Sequence, residues 1–505
     1  MTHLHDILIR SANAHPDQTA IIFEDRSLTF SALLRASVAL AAKLVEEGAQ
    51  EGDYIAFLDE NSLEFPLVVF AVTLIGAIFV PVNFRFASDE IAYVLSDARP
   101  RFLLTSPSYA KLAKDAVTHD GAATQIVEVP RAETLLDVPH RTFTPARPDP
   151  SGPAMVMYTS GTTGFPKGAL LSHSAYLANI RAIANAGNLV SEDKMLVALP
   201  LFHNGGLIAQ LLPALSLGAL AVILPRGFDP DRVLSIVEEH GITVTMWVPT
   251  MLAMILGANA QERHDAASLS KIWYGSSPIA PKLYARVKAT FGAALYQFYG
   301  MTEVGMTAVL TPEDHDTHPQ ATGRALPITA MRIVDIEDQD VRPGEVGELI
   351  WRQSPTGMIG YLGKEEASRE TIRDGWIYTG DMARNLDNGV FLLVDRKKDM
   401  IISGAENIYP REIELALLTH PDVAEVAVFG IPDPVYGEAV CAAVVVKEGR
   451  VLSEGEVIAY CAEHLAGYKK PKRVLFEQAL PKNTAGKVLK AQLRAPFWKH
   501  EERAI

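Results

Sequence analysis

Hydrophobic and polar positions in the first half of the chain show two patterns, one typical of helices and one typical of strands. Apolar side chains at helical spacing between Ser31 and Glu47, followed by Gly48, predict an amphipathic helix with a glycine stop. Shorter apolar runs predict strands at 54–58, 195–199, 219–224 and 242–248, with a further helix at 230–241. Strands that alternate with helices are typical of layered α/β folds with largely parallel sheets.

The most apolar segment runs from Leu67 to Val82 and is interrupted by Thr73, Gly76 and Pro81. A membrane-spanning helix needs about 20 apolar residues, and glycine and proline tend to end helices. The segment therefore predicts a buried helix followed by a core strand, and no integral membrane segment.

The pattern changes in the last third of the chain. Short apolar runs separated by turn signals between Ile328 and Leu393 predict a small antiparallel, β-barrel-like unit. From Lys398 a mixed pattern begins, with predicted helices after Pro410 and Ser453 and predicted strands at 423–429, 439–446 and 472–476. We therefore predict a large N-terminal domain of layered α/β subdomains and the barrel-like unit, residues 1–397. A small α+β domain, residues 398–505, follows it.

Composition narrows the class of partner. The 505 residues carry a formal net charge of −14, which disfavours nucleic acid and anionic lipid. Cys441 and Cys461 are the only cysteines in the sequence, and they predict buried apolar residues and not a disulfide framework. Residues 1–10 lack the basic and apolar stretches of a signal peptide, so a cytoplasmic location is expected.

Residues 158–168 alternate hydroxyls and glycines and end in a lysine, in the order Tyr-Thr-Ser-Gly-Thr-Thr-Gly-Phe-Pro-Lys-Gly. Glycine lets backbone N–H groups approach a phosphate, hydroxyls add donors, and lysine adds positive charge. The segment predicts a phosphate-binding loop that contains Thr159, Ser160, Gly161, Thr162, Thr163, Gly164 and Lys167. An NTPase P-loop would require Gly-Lys-Ser/Thr, whereas Lys167 stands between Pro166 and Gly168, so that class is disfavoured.

Five further segments complete a set. They are Leu-Phe-His at 201–203, Tyr-Gln-Phe-Tyr-Gly-Met-Thr-Glu at 296–303, Tyr-Thr-Gly-Asp at 378–381, Arg-Lys-Lys-Asp-Met-Ile-Ile-Ser-Gly at 396–404, and Pro-Lys-Asn-Thr-Ala-Gly-Lys at 481–487. In identity and order these segments make the chain resemble the adenylate-forming superfamily. That superfamily contains acyl-CoA synthetases, adenylation domains of non-ribosomal peptide synthetases and firefly luciferases. The resemblance covers essentially the whole chain and implies ATP, Mg²⁺ and coenzyme A as the small molecules bound.

The resemblance implies residues for the nucleoside. Tyr299 would stack on adenine, and Gly275 and Ser276 would run along the same base. Asp381 would accept hydrogen bonds from both ribose hydroxyls, with Arg396 beside it.

The resemblance also implies residues for the phosphates. Thr302 would donate to the α-phosphate, and Glu303 would hold Mg²⁺ with Thr162 nearby, because a hard cation prefers oxygen ligands. Gln297 and Gly300 complete the implied nucleotide-binding set.

The C-terminal domain would serve both half-reactions. Lys487 would neutralise charge on the α-phosphate during adenylation. Rotation about Lys398 would then bring Gly404 and Ala405 to a pantetheine tunnel, where most relatives have Gly-Gly. The resemblance implies a coenzyme A surface made of Tyr436, Tyr468, Lys470 and Lys472, with Arg85 reaching a phosphate from the other domain.

The predicted acyl pocket is mostly apolar. It contains His203, which we also group with Lys487, Glu303 and Thr302 as candidate catalytic residues, and Asn204, Trp247, Met251, Ser277, Met301 and Met306. Relatives that activate amino acids have an aspartate where this chain has His203, and no Arg or Lys lies in these segments to pair a second carboxylate. Amino acids and dicarboxylates are therefore disfavoured, and a medium-chain fatty acid is expected, with an aryl acid as the alternative.

Other functions stay open on the sequence alone. Acyl transfer to a carrier protein is one, a kinase-like phosphotransferase that releases ADP is another, and a non-catalytic nucleotide-binding protein is a third. Chain length of the acid and oligomeric state, including a homodimer, are not fixed by the sequence.

Overall fold

The computed structural model describes residues 1–120, 124–139, 143–159, 166–403, 406–482 and 488–498. These residues form two compact units. The first contains 1–331 and 351–378, and the second contains 332–350 and the chain from 379 onwards. The sequence predicts a domain boundary between residues 397 and 398. The division into two compact units does not test which residues move together, so that boundary stays a prediction.

The strands of the described residues, in chain order, are β1 (Thr19–Phe23), β2 (Arg26–Thr29), β3 (Tyr54–Leu58), β4 (Ile78–Val82), β5 (Phe102–Thr105), β6 (Gln125–Glu128), β7 (Pro153–Thr159), β8 (Lys167–Ser172), β9 (Lys194–Val197), β10 (Leu220–Ile223), β11 (Val244–Trp247), β12 (Lys271–Tyr274) and β13 (Ala294–Met301). They continue with β14 (Gly305–Leu310), β15 (Gly323–Ala325), β16 (Met331–Val334), β17 (Val346–Arg352), β18 (Gly360–Tyr361), β19 (Ile372–Arg373), β20 (Trp376–Asn385), β21 (Val390–Arg396), β22 (Ile401–Ser403), β23 (Glu406–Ile408), β24 (Val423–Asp433), β25 (Gly437–Val446) and β26 (Arg473–Phe476).

The α-helices are α1 (His5–Ala14), α2 (Phe30–Glu46), α3 (Glu64–Ile75), α4 (Ser88–Ala98), α5 (Ala110–Asp120), α6 (Ala132–Leu136), α7 (His173–Ala186), α8 (Asn204–Gly206), α9 (Leu212–Ser216), α10 (Pro230–His240), α11 (Pro249–Gly257), α12 (Pro281–Phe291), α13 (Pro312–Thr317), α14 (Glu365–Thr371), α15 (Pro410–Leu417), α16 (Glu454–His464) and α17 (Lys490–Arg494).

Two sheets build the first unit. One has the order β18-β8-β7-β4-β3-β5-β6, and the other runs β15-β14-β13-β12-β11-β9-β10-β1-β2. Pairing is parallel through the middle of both sheets and antiparallel at β7–β8, β8–β18, β13–β14 and β1–β2. The prediction of layered α/β subdomains with largely parallel sheets is confirmed.

The apolar segment that begins at Leu67 is divided as the sequence predicts. Helix α3 ends at Gly76, whose φ of 80° is the left-handed conformation that glycine adopts easily. Strand β4 comes next and is buried along its whole length. Among the described residues, no helix combines the length and the apolar character that crossing a membrane requires.

The second unit begins with β16, β17, β20 and β21, which neighbour one another in that order. Strands β20 and β21 are antiparallel, as predicted, but the strands that the structure describes form no closed barrel. Alternation and turns therefore predict the antiparallel pairing of this unit, and they do not specify whether its sheet closes into a barrel.

The rest of the second unit is the α+β arrangement that the sequence predicts. Its sheet has the order β23-β22-β25-β24, with β26 parallel to β25. Ser453 and Glu456 form the predicted capping box at the start of α16. Cys441 and Cys461 are buried and free, and burial raises their pKa values to about 12 and about 11.

Three imidazoles anchor the N-terminal helix in the first unit. The ring of His5 donates from Nδ1 to the carbonyl of Thr73 at 2.8 Å. Its buried Nε2 lies 3.9 Å from Oδ1 of Asp6 and has no hydrogen-bond partner among the described residues. His3 stacks on His5 with ring centroids 5.2 Å apart, and His173 lies edge-on to His3 at 5.1 Å. The backbone N–H of Leu4 donates to Nδ1 of His173 at 3.3 Å.

Burial keeps two of these rings neutral. Desolvation lowers the pKa of His5 to about 4 and that of His173 to about 3, and Asp6 only partly offsets the effect. Arg147 and His3 act in the same direction as burial on His5. The unfolded chain takes up protons on these rings below about pH 6.5, whereas the folded chain does not, so stability falls as pH drops from there towards 4.

We expect His5→Gln to reduce this acid sensitivity. Glutamine can donate to Thr73 but does not titrate. When the unfolded chain binds one proton more than the folded chain, the free energy of unfolding falls by about 1.4 kcal/mol for each unit that the pH drops. Between pH 6.5 and 5 the wild-type free energy of unfolding should therefore fall by about 2 kcal/mol more than that of the variant. Urea unfolding followed by the fluorescence of buried Trp247 and Trp273 measures this difference. His464→Gln, at an exposed position of α16, should behave as wild type, and equal pH dependence of the His5 variant would contradict the account.

Candidate active site

The predicted site residues of the first unit lie where parallel strands end. Strands β9, β11, β12 and β13 are parallel neighbours, so the segments after them emerge at the same edge of the sheet. These segments are 198–203, 248–251, 275–277 and 302–304. Ligands of open α/β sheets bind outside such carboxyl ends.

The phosphate loop is the connection of an antiparallel hairpin. Thr159, the last residue of β7, pairs with Lys167, the first residue of β8. Gly168 is required next, because a Cβ there would lie 2.6 Å from the side chain of Val156. Ser160, Gly161, Thr162, Thr163 and Gly164 lie outside the described residues.

Glu303 is the buried carboxylate of this edge, with 8% of its surface exposed. Its Oε1 accepts a hydrogen bond of 2.9 Å from the hydroxyl of Tyr361, and its carbonyl accepts one of 2.8 Å from the N–H of Met358. The ammonium of Lys167 lies 5.2 Å from the centroid of the Tyr361 ring. Neighbouring Thr302 is half-buried.

These groups fit a magnesium ion that arrives with a nucleotide. Mg²⁺ takes one or two carboxylates plus phosphate oxygens in such sites. Glu303 offers a carboxylate with one oxygen fixed by Tyr361, and the described residues contain no cluster of three or more His, Cys, Asp or Glu side chains able to hold a metal alone. Thr162, the other predicted ligand, lies outside the described residues.

The predicted adenine platform lies at the ends of β12 and β13. The ring of Tyr299 stacks on Trp351 with centroids 6.1 Å apart. A Cβ on Gly275 would lie 2.7 Å from the carbonyl oxygen of Phe298, so only glycine lets these two chains approach so closely. Ser276 is exposed and has a φ of 66°.

Two other predicted nucleotide-binding residues on β13 have structural partners. The side-chain amide of Gln297 donates to the carbonyls of Ala321 and Thr322, at 3.1 and 2.9 Å. A Cβ on Gly300 would lie 2.3 Å from the carbonyl oxygen of Gly305. Gln297 therefore fastens β13 to the segment before β15, and Gly300 permits the close approach of β13 and β14. Contact of either residue with nucleotide stays a prediction.

His203 is half-buried, and its Nε2 atom is screened from solvent. Burial, and secondarily the positive charge of Arg85, lower its pKa to about 4. Its ring lies against Phe202 with centroids 4.3 Å apart, and its Nε2 has no hydrogen-bond partner among the described residues. The Oδ1 of Asn204 is likewise buried and unpartnered there.

The remaining predicted pocket residues differ in exposure. Trp247 is fully buried within the core cluster that also contains Leu252 and Ile255, and its indole N–H has no partner among the described residues. Three methionines, Met251, Met301 and Met306, are half-buried, whereas Ser277 is exposed. The side chain of Asn179 fixes the backbone of Met306 through bonds of 2.7 and 3.1 Å.

Arg85 lies closer to the predicted acyl pocket than the sequence indicates. Its guanidinium lies 5.4 Å from the ring centroid of Phe84, and that of Arg226 lies at the same distance from the same ring. Burial and the charge of Arg226 lower the pKa of Arg85. Because the residues are far apart in sequence, pattern alone gives no sign that Arg85 acts on His203.

Two buried amides that sequence reasoning missed hold the segment before His203. Asn61 donates to the carbonyls of Leu199 and Leu224, at 3.2 and 3.3 Å, and accepts from the N–H of Leu201 at 2.8 Å. Gln210 accepts from the N–H of Leu199 at 3.0 Å. Gln210 lies in a π-helical turn, residues 207–211, a feature often found at functional sites.

In the second unit the predicted ribose residue is paired across a hairpin. Asp381 on β20 stands opposite Arg396 on β21, and Nε of Arg396 lies 2.5 Å from Oδ1 of Asp381. Asp381 is 4% exposed, and its backbone N–H donates to the hydroxyl of Thr379 at 3.0 Å. Arg396 therefore neutralises and orients Asp381.

The predicted hinge residue comes directly after this hairpin. Lys398 lies in a short 3₁₀ turn, 397–399, and burial lowers its pKa. Lys397 pairs with Glu348 at 2.8 Å. Gly404 and Ala405, the predicted tunnel residues, lie outside the described residues.

Four predicted coenzyme A residues lie on the surface of the second unit. Tyr436 and Tyr468 are 50% and 48% exposed. The ammonium of Lys472 lies 4.1 Å from the ring centroid of Tyr436 and 3.1 Å from Oδ2 of Asp433, and Lys470 is exposed. Lys472 and Tyr436 are therefore in contact, and their role stays a prediction.

Lys487 lies outside the described residues, but both sides of its loop are anchored. Lys482 and Val488 form an antiparallel bridge at the base. Lys490, just beyond, is half-buried and pairs with buried Glu414 at 2.8 Å. This ion pair fixes the start of α17, three residues after Lys487.

Comparison with known proteins gives the family. The AMP-binding enzyme model matches residues 8–362, and the model of the AMP-binding enzyme C-terminal domain matches residues 412–487. An indoleacetate–CoA ligase of Aromatoleum aromaticum is 38% identical, with 97% of each chain covered. A feruloyl-CoA synthase of an Amycolatopsis species is 36% identical over 97% of this chain and 98% of its own.

A solved structure of a related enzyme supports the same family assignment. The o-succinylbenzoate CoA synthetase of Bacillus subtilis, in complex with its acyl-adenylate intermediate, superposes with a TM-score of 0.87 at 32% identity. The match covers 96% of this chain and 97% of that one. Together with the ordered motifs and the phosphate-loop hairpin, these matches establish that the chain belongs to the AMP-binding enzyme family, the adenylate-forming enzymes that its sequence resembles.

Proposed function

We propose that this protein is an AMP-forming carboxylic acid–CoA ligase whose substrate is an aryl or arylalkyl acid. The observation that carries the ligase assignment is the pairing of the phosphate-loop hairpin with the buried carboxylate of Glu303, in a chain whose relatives are CoA ligases. An NTPase would use a different loop, and a protein that only binds nucleotide has no need for a buried acid beside it.

The chemistry proceeds in two steps. A carboxylate oxygen of the acid bonds to the α-phosphorus of ATP, the α–β P–O bond breaks, and pyrophosphate leaves. Bound Mg²⁺ would reduce the repulsion between the phosphates and the incoming carboxylate. The coenzyme A thiol then releases its proton to water as its sulfur bonds to the acyl carbon, and AMP leaves with the electron pair of the broken C–O bond.

Named residues support each step. Glu303 would hold the ion, Lys167 and the hairpin loop would hold phosphates, and Asp381 would hold the ribose. Lys487 would add positive charge during adenylation only. Neutral His203 would add no charge of its own to the acyl site, which suits an apolar substrate.

Two features favour an aryl acid. The indoleacetate and feruloyl relatives both act on aromatic acids. Aromatic His203 and Phe202 are packed together at the predicted pocket, where flat surfaces suit a flat ring. A medium-chain fatty acid is the second candidate, favoured by the half-buried methionines at 251, 301 and 306, which adapt to flexible chains.

A panel of acids tests the assignment. Pyrophosphate and AMP release should require both an acid and ATP, and acyl-CoA should form only when coenzyme A is present. Arylacetates or hydroxycinnamates should exceed octanoate in kcat/KM by about tenfold or more, since a poorly filled pocket costs on the order of 1–3 kcal/mol. An octanoate optimum would select the second candidate, and ADP release would contradict the ligase.

The role of Asp381 makes a sharper prediction. Hydrogen bonds to a charged group contribute about 1.5–3 kcal/mol, so Asp381→Ala should lower kcat/KM for ATP by about 10- to 100-fold. Wild-type enzyme should strongly prefer ATP to 2′,3′-dideoxy-ATP, and the variant should lose most of that preference. If the variant discriminates as wild type does, Asp381 does not bind the ribose.

Substitutions at residues 487 and 405 should each slow a different half-reaction. Lys487→Ala should slow acyl-adenylate formation by about 10²- to 10³-fold, yet leave transfer from supplied acyl-AMP to coenzyme A nearly normal. Ala405→Leu should do the reverse, because a larger side chain obstructs a narrow tunnel. Pyrophosphate exchange and thioester formation are measured separately for each variant, and equal slowing of both halves would exclude a two-orientation mechanism.

A further inference from the structure

Tyr361 lies on a short strand that fastens the phosphate-loop hairpin. Strand β18 pairs with β8, with Tyr361 opposite Ala169. The N–H of Ile359 donates to the carbonyl of Leu170 at 2.7 Å, and the N–H of Leu362 donates to the carbonyl of Gly168 at 2.8 Å. The backbone of Tyr361 is thus fixed on the strand that begins with Lys167.

The side chain of Tyr361 reaches the other half of the site. Its hydroxyl donates to Oε1 of Glu303 at 2.9 Å. A phenol carries its proton near neutral pH, whereas a carboxylate has only acceptor atoms, so the hydroxyl is the donor in this bond. The same segment also holds the Glu303 backbone through the N–H of Met358.

One aromatic ring therefore touches two groups of opposite charge. The ammonium of Lys167 lies 5.2 Å from its centroid, a distance at which the ring face attracts a cation. Lys167 begins a strand of one sheet, and Glu303 lies between β13 and β14 of the other. Tyr361 contacts both, although the two residues are far apart in sequence.

We propose that Tyr361 is a positioning residue for adenylation: its hydroxyl fixes one oxygen of Glu303 and its ring holds Lys167 beside the phosphate loop. The other oxygen of Glu303 would then be the one to bind a metal ion that arrives with the nucleotide. The inference rests on the proposed function. Partners that orient a metal ligand commonly change metal affinity by about 10- to 100-fold when they are removed.

The hydroxyl can be removed without dismantling the strand. The N–H of Tyr361 donates to Oγ of Ser368 at 2.8 Å, and that hydroxyl donates to the carbonyl of Lys364 at 2.8 Å. These bonds, and the pairing of β18 with β8, do not involve the phenol oxygen. Tyr361→Phe should therefore fold and keep its ring against Lys167.

A matched control exists in the same hairpin. The hydroxyl of Tyr158, on β7, donates to Oδ2 of Asp97 at 2.9 Å. Tyr158→Phe removes the same kind of hydroxyl–carboxylate bond but touches neither Glu303 nor Lys167. A purely structural effect would appear in both variants.

The experiment measures metal binding as well as turnover. Binding of Mn²⁺ in the presence of α,β-methylene-ATP, followed by electron paramagnetic resonance of the free ion, should weaken about tenfold or more in Tyr361→Phe and remain at the wild-type value in Tyr158→Phe. The Mg²⁺ concentration that half-activates pyrophosphate exchange should rise by a similar factor. Transfer from supplied acyl-AMP to coenzyme A should keep its wild-type rate.

Wild-type Mn²⁺ affinity in Tyr361→Phe would overturn the proposal, as would an equal loss in Tyr158→Phe. Equal slowing of exchange and thioester transfer would also overturn it, since that outcome indicates general damage. If the wild-type protein forms no acyl-CoA from any acid, the proposed function fails, and the Mn²⁺ measurement still decides the role of Tyr361.

Discussion

Parallel hydrogen bonding among β9, β11, β12 and β13 is the constraint on which the first unit's site depends. Each strand enters the sheet in the same direction, so each must leave at the same edge. Segments separated by scores of residues are thereby delivered to one place, while the helices that return the chain lie against the faces of the sheet. The residues just beyond each strand set the composition of the site, and the pairing of the strands sets its location.

A second constraint governs the irregular segment that leads to His203. Backbone groups outside helices and strands cannot be buried cheaply unless they find partners. Asn61 and Gln210 supply those partners from two different parts of the chain. Because they do so, a loop without regular structure can be buried deeply enough to keep an imidazole uncharged near neutral pH.

The sequence predicts well those features that are local. The helix from Phe30, the buried α3 and β4, and the capping box at Ser453 arise from spacing and from residues near one another. The motifs also predict the family, because each motif is a short run of neighbouring residues. Tyr361, Asn61 and the proximity of Arg85 to His203 could not be read from pattern, because each depends on a partner distant in sequence. Alternation and turns likewise predict the antiparallel pairing of β20 with β21, whereas closure of a sheet is a global property that they do not specify.

The two native thiols have a practical consequence for labelling. Both are buried with raised pKa values, so very little thiolate is present near neutral pH, and thiolate is the form that reacts with maleimides and with activated acyl groups. An adenylating enzyme with such thiols has little exposed sulfur to acylate by accident. Fluorophores or spin labels can therefore be attached at introduced surface cysteines, one in each unit, without first replacing Cys441 or Cys461, and distance measurements can follow the two units through a catalytic cycle.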